Sequence, residues 1–216
     1  MAFLNVESSI SGRLWVGPSD ATRRAAETIA QNHDLPFAVA AVLARHNISD
    51  QEAKPYLNPQ LRDLLPDPLR LRDMDKAASR LIEAMLKKQR IAIFADYDVD
   101  GATSAALLID WVKHFGQAAT LYIPDRIEEG YGPNETAMQN LGQHHDLIIC
   151  VDCGTLSHAP VKAAHPAEVI ILDHHLGAEM LPQCCAVVNP NRQDEDSDLG
   201  HLCAASVVFL CLVEAG

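Results

Sequence analysis

The sequence lacks several things that would settle its class at once. No apolar stretch approaches the roughly 20 residues that a membrane-spanning helix needs. The first residues, MAFLNVESSISGRLW, have no basic start followed by an apolar core, so they do not read as a signal peptide. Basic residues are scarce: 17 Lys and Arg stand against 29 Asp and Glu, a net charge of −12. A freestanding binder of nucleic acid normally carries a basic footprint, so simple electrostatic binding is disfavoured. An acidic balance instead suits a site that collects divalent cations, or a piece whose basic surface lies elsewhere. No G-x-G-x-x-G or G-x-x-x-x-G-K-[ST] follows any apolar run, which argues against an ordinary nucleotide-binding α/β domain. Internal repeats and low-complexity tracts are absent. Of six cysteines, Cys150 and Cys153 form a C-x-x-C. Neither a helix start after it nor a second ligand pair is evident, so the cysteines read as reduced thiols packed as small hydrophobes.

What is present is enough apolar material, 48% of 216 residues, for one domain or a domain with an appendage. Residues 1–90 read as a helical lead-in. SDATRRAAETIAQNH begins with the caps Ser19 and Asp20, PFAVAAVLARHN is a second short helix, and Ser49 or Asp50 caps a third. LLPDPLRLRDMD is a proline-punctuated connector, and DMDKAASRLIEAMLKKQR is an amphipathic helix with basic residues at its end. From residue 91 the rhythm changes. Five short apolar runs follow at 91–95, 119–123, 147–151, 168–172 and 185–189, most of them separated by helical segments. That alternation predicts an α/β domain over 91–216, a mostly parallel five-stranded sheet with helices on both faces.

In open parallel sheets, function sits beyond the carboxyl ends of the strands. The first run is followed by Asp96, Asp98 and Asp100, the third by Asp152, Cys153 and Gly154, and the fourth by Asp173, His174 and His175. Single Asp-x-Asp or His-His pairs are weak signals. Asp100, before Gly101, reads as a cap or turn residue, and His144–His145, which precede their strand, read as solvated loop. Acids and imidazoles on three strand ends together are a stronger pattern. Carboxylates gathered so closely repel one another unless a cation neutralises them. Aspartate with imidazole suits Mn²⁺ or Mg²⁺, and a pair of such ions can clamp a phosphoryl group.

DYDVDGATS, VDCG and LDHH resemble the motifs of the DHH phosphoesterase superfamily. IPDRIEEGYGPN, VVNPNRQ, HLCAASVVF, SGRLW and LNPQLRDLLPDP extend the resemblance to the RecJ-like single-strand-specific exonucleases within it. The resemblance implies a cytoplasmic, metal-dependent hydrolase of DNA repair and recombination. It would act 5′ to 3′ on single-stranded DNA with two Mn²⁺ or Mg²⁺ ions, and other repair or replication proteins could be partners. By position, Asp96 would hold one ion and Asp98 the other, Asp152 would bridge them, and His174 would be a ligand of the second. His175 would stand near the scissile phosphate. Asp173 would orient the histidines, while Arg126, Tyr131 and Gly132 would face the phosphate or support the site. Stacking of bases would fall to Trp111, Tyr122 or Tyr131, although Trp111 sits in a helical pattern and reads as core.

Two departures from the family pattern stand out. Phe94 occupies a position where some relatives have a histidine ligand. The family's further metal-binding aspartate and its C-terminal domains lie downstream of LCAASVVF, whereas this sequence ends at Gly216. The expectation is a piece of a longer enzyme with a partial site. A DHH phosphoesterase acting on short oligonucleotides or cyclic dinucleotides, and a non-catalytic scaffold with a degenerate site, remain as alternatives.

Overall fold

The computed structural model describes residues 2–216. Residue contacts divide them into two compact units, up to Leu65 and from Pro66 onward. The first unit is helical. It contains α1 (Asp20–His33), α2 (Phe37–Arg45), α3 (Asp50–Leu57) and the single turn α4 (Leu61–Leu64). Ser19 caps α1 by accepting from the Thr22 amide. Ser49 and Glu52 close a reciprocal capping box on α3. A small core of Ala26, Ile29, Ala40, Leu43, Ala44 and Ala53 holds α1, α2 and α3 together.

The second unit begins with α5 (Met74–Leu86), which packs on the sheet and so belongs to this unit. Its basic residues Lys87 and Lys88 fall just past the helix rather than in its last turn. There follow β1 (Ile91–Ala95), α6 (Val99–His114), β2 (Ala119–Tyr122), α7 (Glu135–His144) and β3 (Leu147–Val151). The unit ends with α8 (His158–Ala163), β4 (Glu168–Leu172), β5 (Ala186–Val188) and α9 (Ala204–Ala215). All five strands are parallel, in the order β2-β1-β3-β4-β5. The strands are the expected apolar runs, trimmed by a residue at the ends of the second and fifth.

Alternation along each strand splits the core in two. Ile91, Ile93 and Ala95 face α5, α6 and α9 through Leu81, Leu108 and Val207. Ala92 and Phe94 face α7 and α8 through Met138 and Val161. Both faces are covered, which is why the strands carry no polar alternation. Trp111 packs against the first of these cores, as its helical pattern implies. His144 and His145 are not solvated loop: His145 closes α7, and each imidazole Nδ1 bonds a carbonyl of its last turn, Asn140 and Leu141 respectively.

The strand order reverses at β1. Its chain successor β2 lies on one side and β3 on the other, so a crevice opens between the carboxyl ends of β1 and β3. The register aligns Ala95 with Val151 and Val151 with Leu172. The ladder runs one residue further: the amides of Asp96, Asp152 and Asp173 bond Val151, Leu172 and Val188. Three aspartates therefore stand level at the top of three adjacent strands.

Candidate metal centre

Each aspartate of the rim is held differently. Asp96 follows β1 and is buried, and its Oδ1 accepts no hydrogen bond. Burial pushes its carboxyl pKa up. Asp98 is the N-cap of α6: its Oδ1 accepts from the amides of Asp100 at 2.8 Å and Gly101 at 3.0 Å. Those donors, the Gly101 amide foremost, hold its pKa below the usual carboxylate range. The close approach of α6 needs a glycine, since a Cβ on Gly101 would stand 2.4 Å from the Asp96 carbonyl oxygen.

Asp152 follows β3 in the left-handed region, with φ of 60°, a conformation that aspartate tolerates better than most residues. It is buried, and its Oδ1 accepts no hydrogen bond although His174 Nε2 lies 3.3 Å away and His175 Nδ1 3.9 Å. Burial, then repulsion from Asp100 and Asp98, pushes its pKa up to about 8. Asp173 is equally buried but fully partnered. Its Oδ1 accepts from the His174 amide (2.7 Å), the His175 amide (3.2 Å) and His175 Nδ1 (2.8 Å), and its Oδ2 accepts from the Thr155 amide (3.1 Å). Burial alone would raise its pKa, but these donors outweigh it and bring it down to about 2. The same contact raises the pKa of His175.

Asp96, Asp98 and Asp152 can each bring a carboxylate oxygen within 4.8 Å of the others, and Asp152, His174 and His175 form a second such group. Asp152 is common to both. Two buried carboxylate oxygens without donors, inside an oxygen-rich cluster with two imidazoles and no thiolate, fit a pair of hard divalent cations. Cys153 takes no part: its thiol is buried and donates to the Val151 carbonyl.

The remaining expected residues surround this cluster. Asp100 is not a cap of its own helix. Its two oxygens accept from the Ala204 and Ala205 amides, both at 2.8 Å, and so cap α9, whose own N-cap residue Cys203 supplies no side-chain bond. Tyr131 donates its hydroxyl proton to the Asp152 carbonyl at 3.2 Å, and that hydroxyl lies 3.2 Å from His175 Nε2. Gly132 takes φ of 74°, with only Cys153 Cβ near the position of an added Cβ, at 3.9 Å. Arg126 lies with its guanidinium carbon 5.1 Å from the centre of the Tyr97 ring. Tyr122 bonds Glu129 and stacks on buried Phe94, so it is not free for a ligand.

Sequence reasoning did not anticipate Thr155, Asn189 and Asn191. Asn189 donates to the Thr155 hydroxyl and the His175 carbonyl, both at 2.8 Å, and Asn191 donates to the His174 carbonyl at 2.7 Å. These amides lock the histidine loop. The signal was the Asn-Pro-Asn after the fifth run, which reads as turn chemistry until its partners are seen.

With this geometry in hand, the comparisons are specific. The DHH family, N-terminal domain, matches residues 90–215. The chain is 32% identical over 182 residues to the single-stranded-DNA-specific exonuclease RecJ of Bacillus subtilis, covering 83% of this chain and 23% of that protein. It is 36% identical over 183 residues to RecJ of Dickeya dadantii, covering 83% and 31% respectively. A crystal structure of Thermus thermophilus RecJ in complex with Mn²⁺ superposes with a TM-score of 0.69 at 26% identity, over 92% of this chain and 27% of that one. The chain thus spans about a quarter to a third of the length of the curated relatives it matches.

Proposed function

The chain belongs to the DHH family, and from that premise we infer that it carries the metal centre of a single-strand-specific DNA exonuclease. The observation that supports this most is the pair of ligand groups sharing buried Asp152 at the switch point of the sheet. Asp96, Asp98, Asp152 and His174 would hold two Mn²⁺ or Mg²⁺ ions. When bound, such ions supply Lewis acidity for a phosphoryl group and lower the pKa of water. His175, held by Asp173, donates to or neutralises a phosphate oxygen. Asp173 and Asn189 fix the orientation of that imidazole, and Asp98 fixes the start of α6. Arg126 offers positive charge at the rim of an otherwise acidic site. The DHH phosphoesterase domain takes in 91–216 together with α5, which packs on its sheet, and the activity is one of cytoplasmic DNA repair and recombination.

The test is Mn²⁺-dependent hydrolysis of a 5′-labelled single strand by this chain beside Asp152→Asn. Release of mononucleotides by the parent alone, with duplex spared, is expected. Preference for dinucleotides or cyclic dinucleotides over long strands would overturn the substrate assignment. Activity unchanged in the variant would overturn the site.

A further inference from the structure

The two histidines that follow β4 are held in different ways. The His175 imidazole is oriented directly, by the Asp173 carboxylate on its Nδ1. Among the described residues, no hydrogen bond orients the His174 imidazole: its Nε2 lies 3.3 Å from Asp152 and 3.6 Å from Asp100 and bonds neither. A ligating imidazole ordinarily has its other nitrogen fixed by such a partner. The direction of the His174 ring therefore depends on its peptide groups. Its amide donates to Asp173 and its carbonyl accepts from the Asn191 side chain, both at 2.7 Å. Next to Asn191 stands Arg192, whose side chain is only 8% exposed. Its Nη1 donates to the Val187 carbonyl at 2.7 Å and to Asp73 at 2.9 Å, while Nε and Nη2 donate to Asp194.

Asp73 stands at the N-cap position of α5, where an aspartate ordinarily caps its own helix. Here it does not. It takes the left-handed region at φ 60°, and its carboxylate is turned away from the helix amides onto Arg192, the Val187 amide and the Lys76 side chain. Burial opposes its charge, but the bonds to Lys76 and Arg192 outweigh it and hold the carboxyl below the usual range. The Asp73–Arg192 pair thus persists against the local preference of the helix start. Its neighbours repeat the pattern, Arg70 with Asp198 and Arg72 with Asp196, although these pairs are exposed and add little. A segment from before the first strand is clamped in this way onto the loop after the last.

We propose that Arg192 is a positioning residue of the metal centre: anchored on Asp73, it fixes the turn from which Asn191 holds the His174 carbonyl, and so aims the His174 imidazole at its ion. The inference rests on the two-ion reading above and deepens it. The same turn grips the histidine loop again at Gly177, whose amide donates to the Asn191 carbonyl at 3.0 Å. The two backbones touch there, since a Cβ on Gly177 would stand 3.0 Å from the Arg192 Cα. A shift of the turn therefore moves the loop. Arg192 itself supplies no atom to either ligand group and acts through Asn191.

The test is a stepwise Mn²⁺ titration of the parent, Arg192→Met, Asp73→Asn and, for comparison, Arg80→Met. Arg80 is as buried as Arg192, 6% exposed, but pairs with Glu168 at the amino end of β4, away from the rim. Arg192→Met and Asp73→Asn should weaken one Mn²⁺ step, the one served by His174, by roughly ten- to a hundredfold, and leave the other as in the parent. Arg80→Met should lower the melting temperature and leave both steps unchanged. A merely structural role moves melting without separating the two ions. Both steps unchanged in Arg192→Met and Asp73→Asn, or both weakened alike as in Arg80→Met, overturns the positioning role and leaves the metal centre standing. Absence of Mn²⁺ binding by the parent overturns the metal-centre reading and the positioning role with it. A melting curve for each variant fixes a working temperature at which it is folded. If Arg192→Met has none, Asp73→Asn, which leaves Arg192 bonded to Asp194 and Val187, decides the outcome.

Discussion

At the scale of the residue, the rim is built from carboxylates in opposite electrostatic states. Asp173 is saturated with donors and sits at about 2, whereas Asp152, one strand away, is starved of them and sits at about 8. A carboxyl raised above its unfolded value of about 3.9 binds its proton more tightly when folded. Its contribution is fully present below about pH 4 and is lost as pH rises towards 8. Metal-free protein should therefore lose stability through Asp152 over that window. Asp152→Asn is expected to melt higher than the parent without metal, by a margin that widens from pH 5 to pH 8. A margin that does not change with pH would contradict the assignment. Asp173 has the opposite sign, stabilising above about pH 4 and ceasing to do so as pH falls towards 2. Asp173→Asn keeps one accepting oxygen and turns the other into a donor, so either the Thr155 amide or the donors of the histidine loop lose their acceptor, costing roughly 1–3 kcal/mol in denaturant unfolding. Asp96, Asp98, Asp152 and the histidines were legible as a group because each follows an apolar run. Thr155 and Asn189 were not, because a hydroxyl and an amide that lock a loop look like turn residues until the partner strand is in place.

At the scale of the element, the strands were readable from continuous apolar runs and the helices from their caps. What linked them was less so. Asp100 precedes a glycine and begins a helix, so local chemistry makes it a cap of that helix. Its amide partners lie 104 and 105 residues later, a separation that no local pattern encodes. Asp100→Ala should uncap α9 and cost about 1 kcal/mol of unfolding free energy, with local amide exchange rising at Ala204 and Ala205. Gly101 has a sharper constraint, because any side chain there meets backbone rather than a movable neighbour. Gly101→Ala should move the start of α6 with Asp98, lowering stability by roughly 1–3 kcal/mol and weakening metal binding in the same variant. Phe94 belongs to this scale as well. It is wholly buried against Tyr122, so in this chain that position serves the core between β1 and α7.

At the scale of the molecule, the charge of −12 and the proposed substrate have the same sign. Attraction for single-stranded DNA then has to come from bound cations and Arg126 rather than from a basic surface. Without divalent ions, binding should be undetectable even at low salt, where electrostatic attraction is screened least. A basic binder shows the reverse, losing affinity steeply with salt. The central claim is that Asp152 serves two ions at once, and it has a direct measurement: a calorimetric Mn²⁺ titration of the parent, Asp96→Asn and Asp152→Asn. The account predicts two equivalents for the parent, one for Asp96→Asn and none in the same concentration range for Asp152→Asn. Binding by Asp152→Asn with the parent's stoichiometry and affinity, or no binding by the parent at millimolar Mn²⁺, would contradict it.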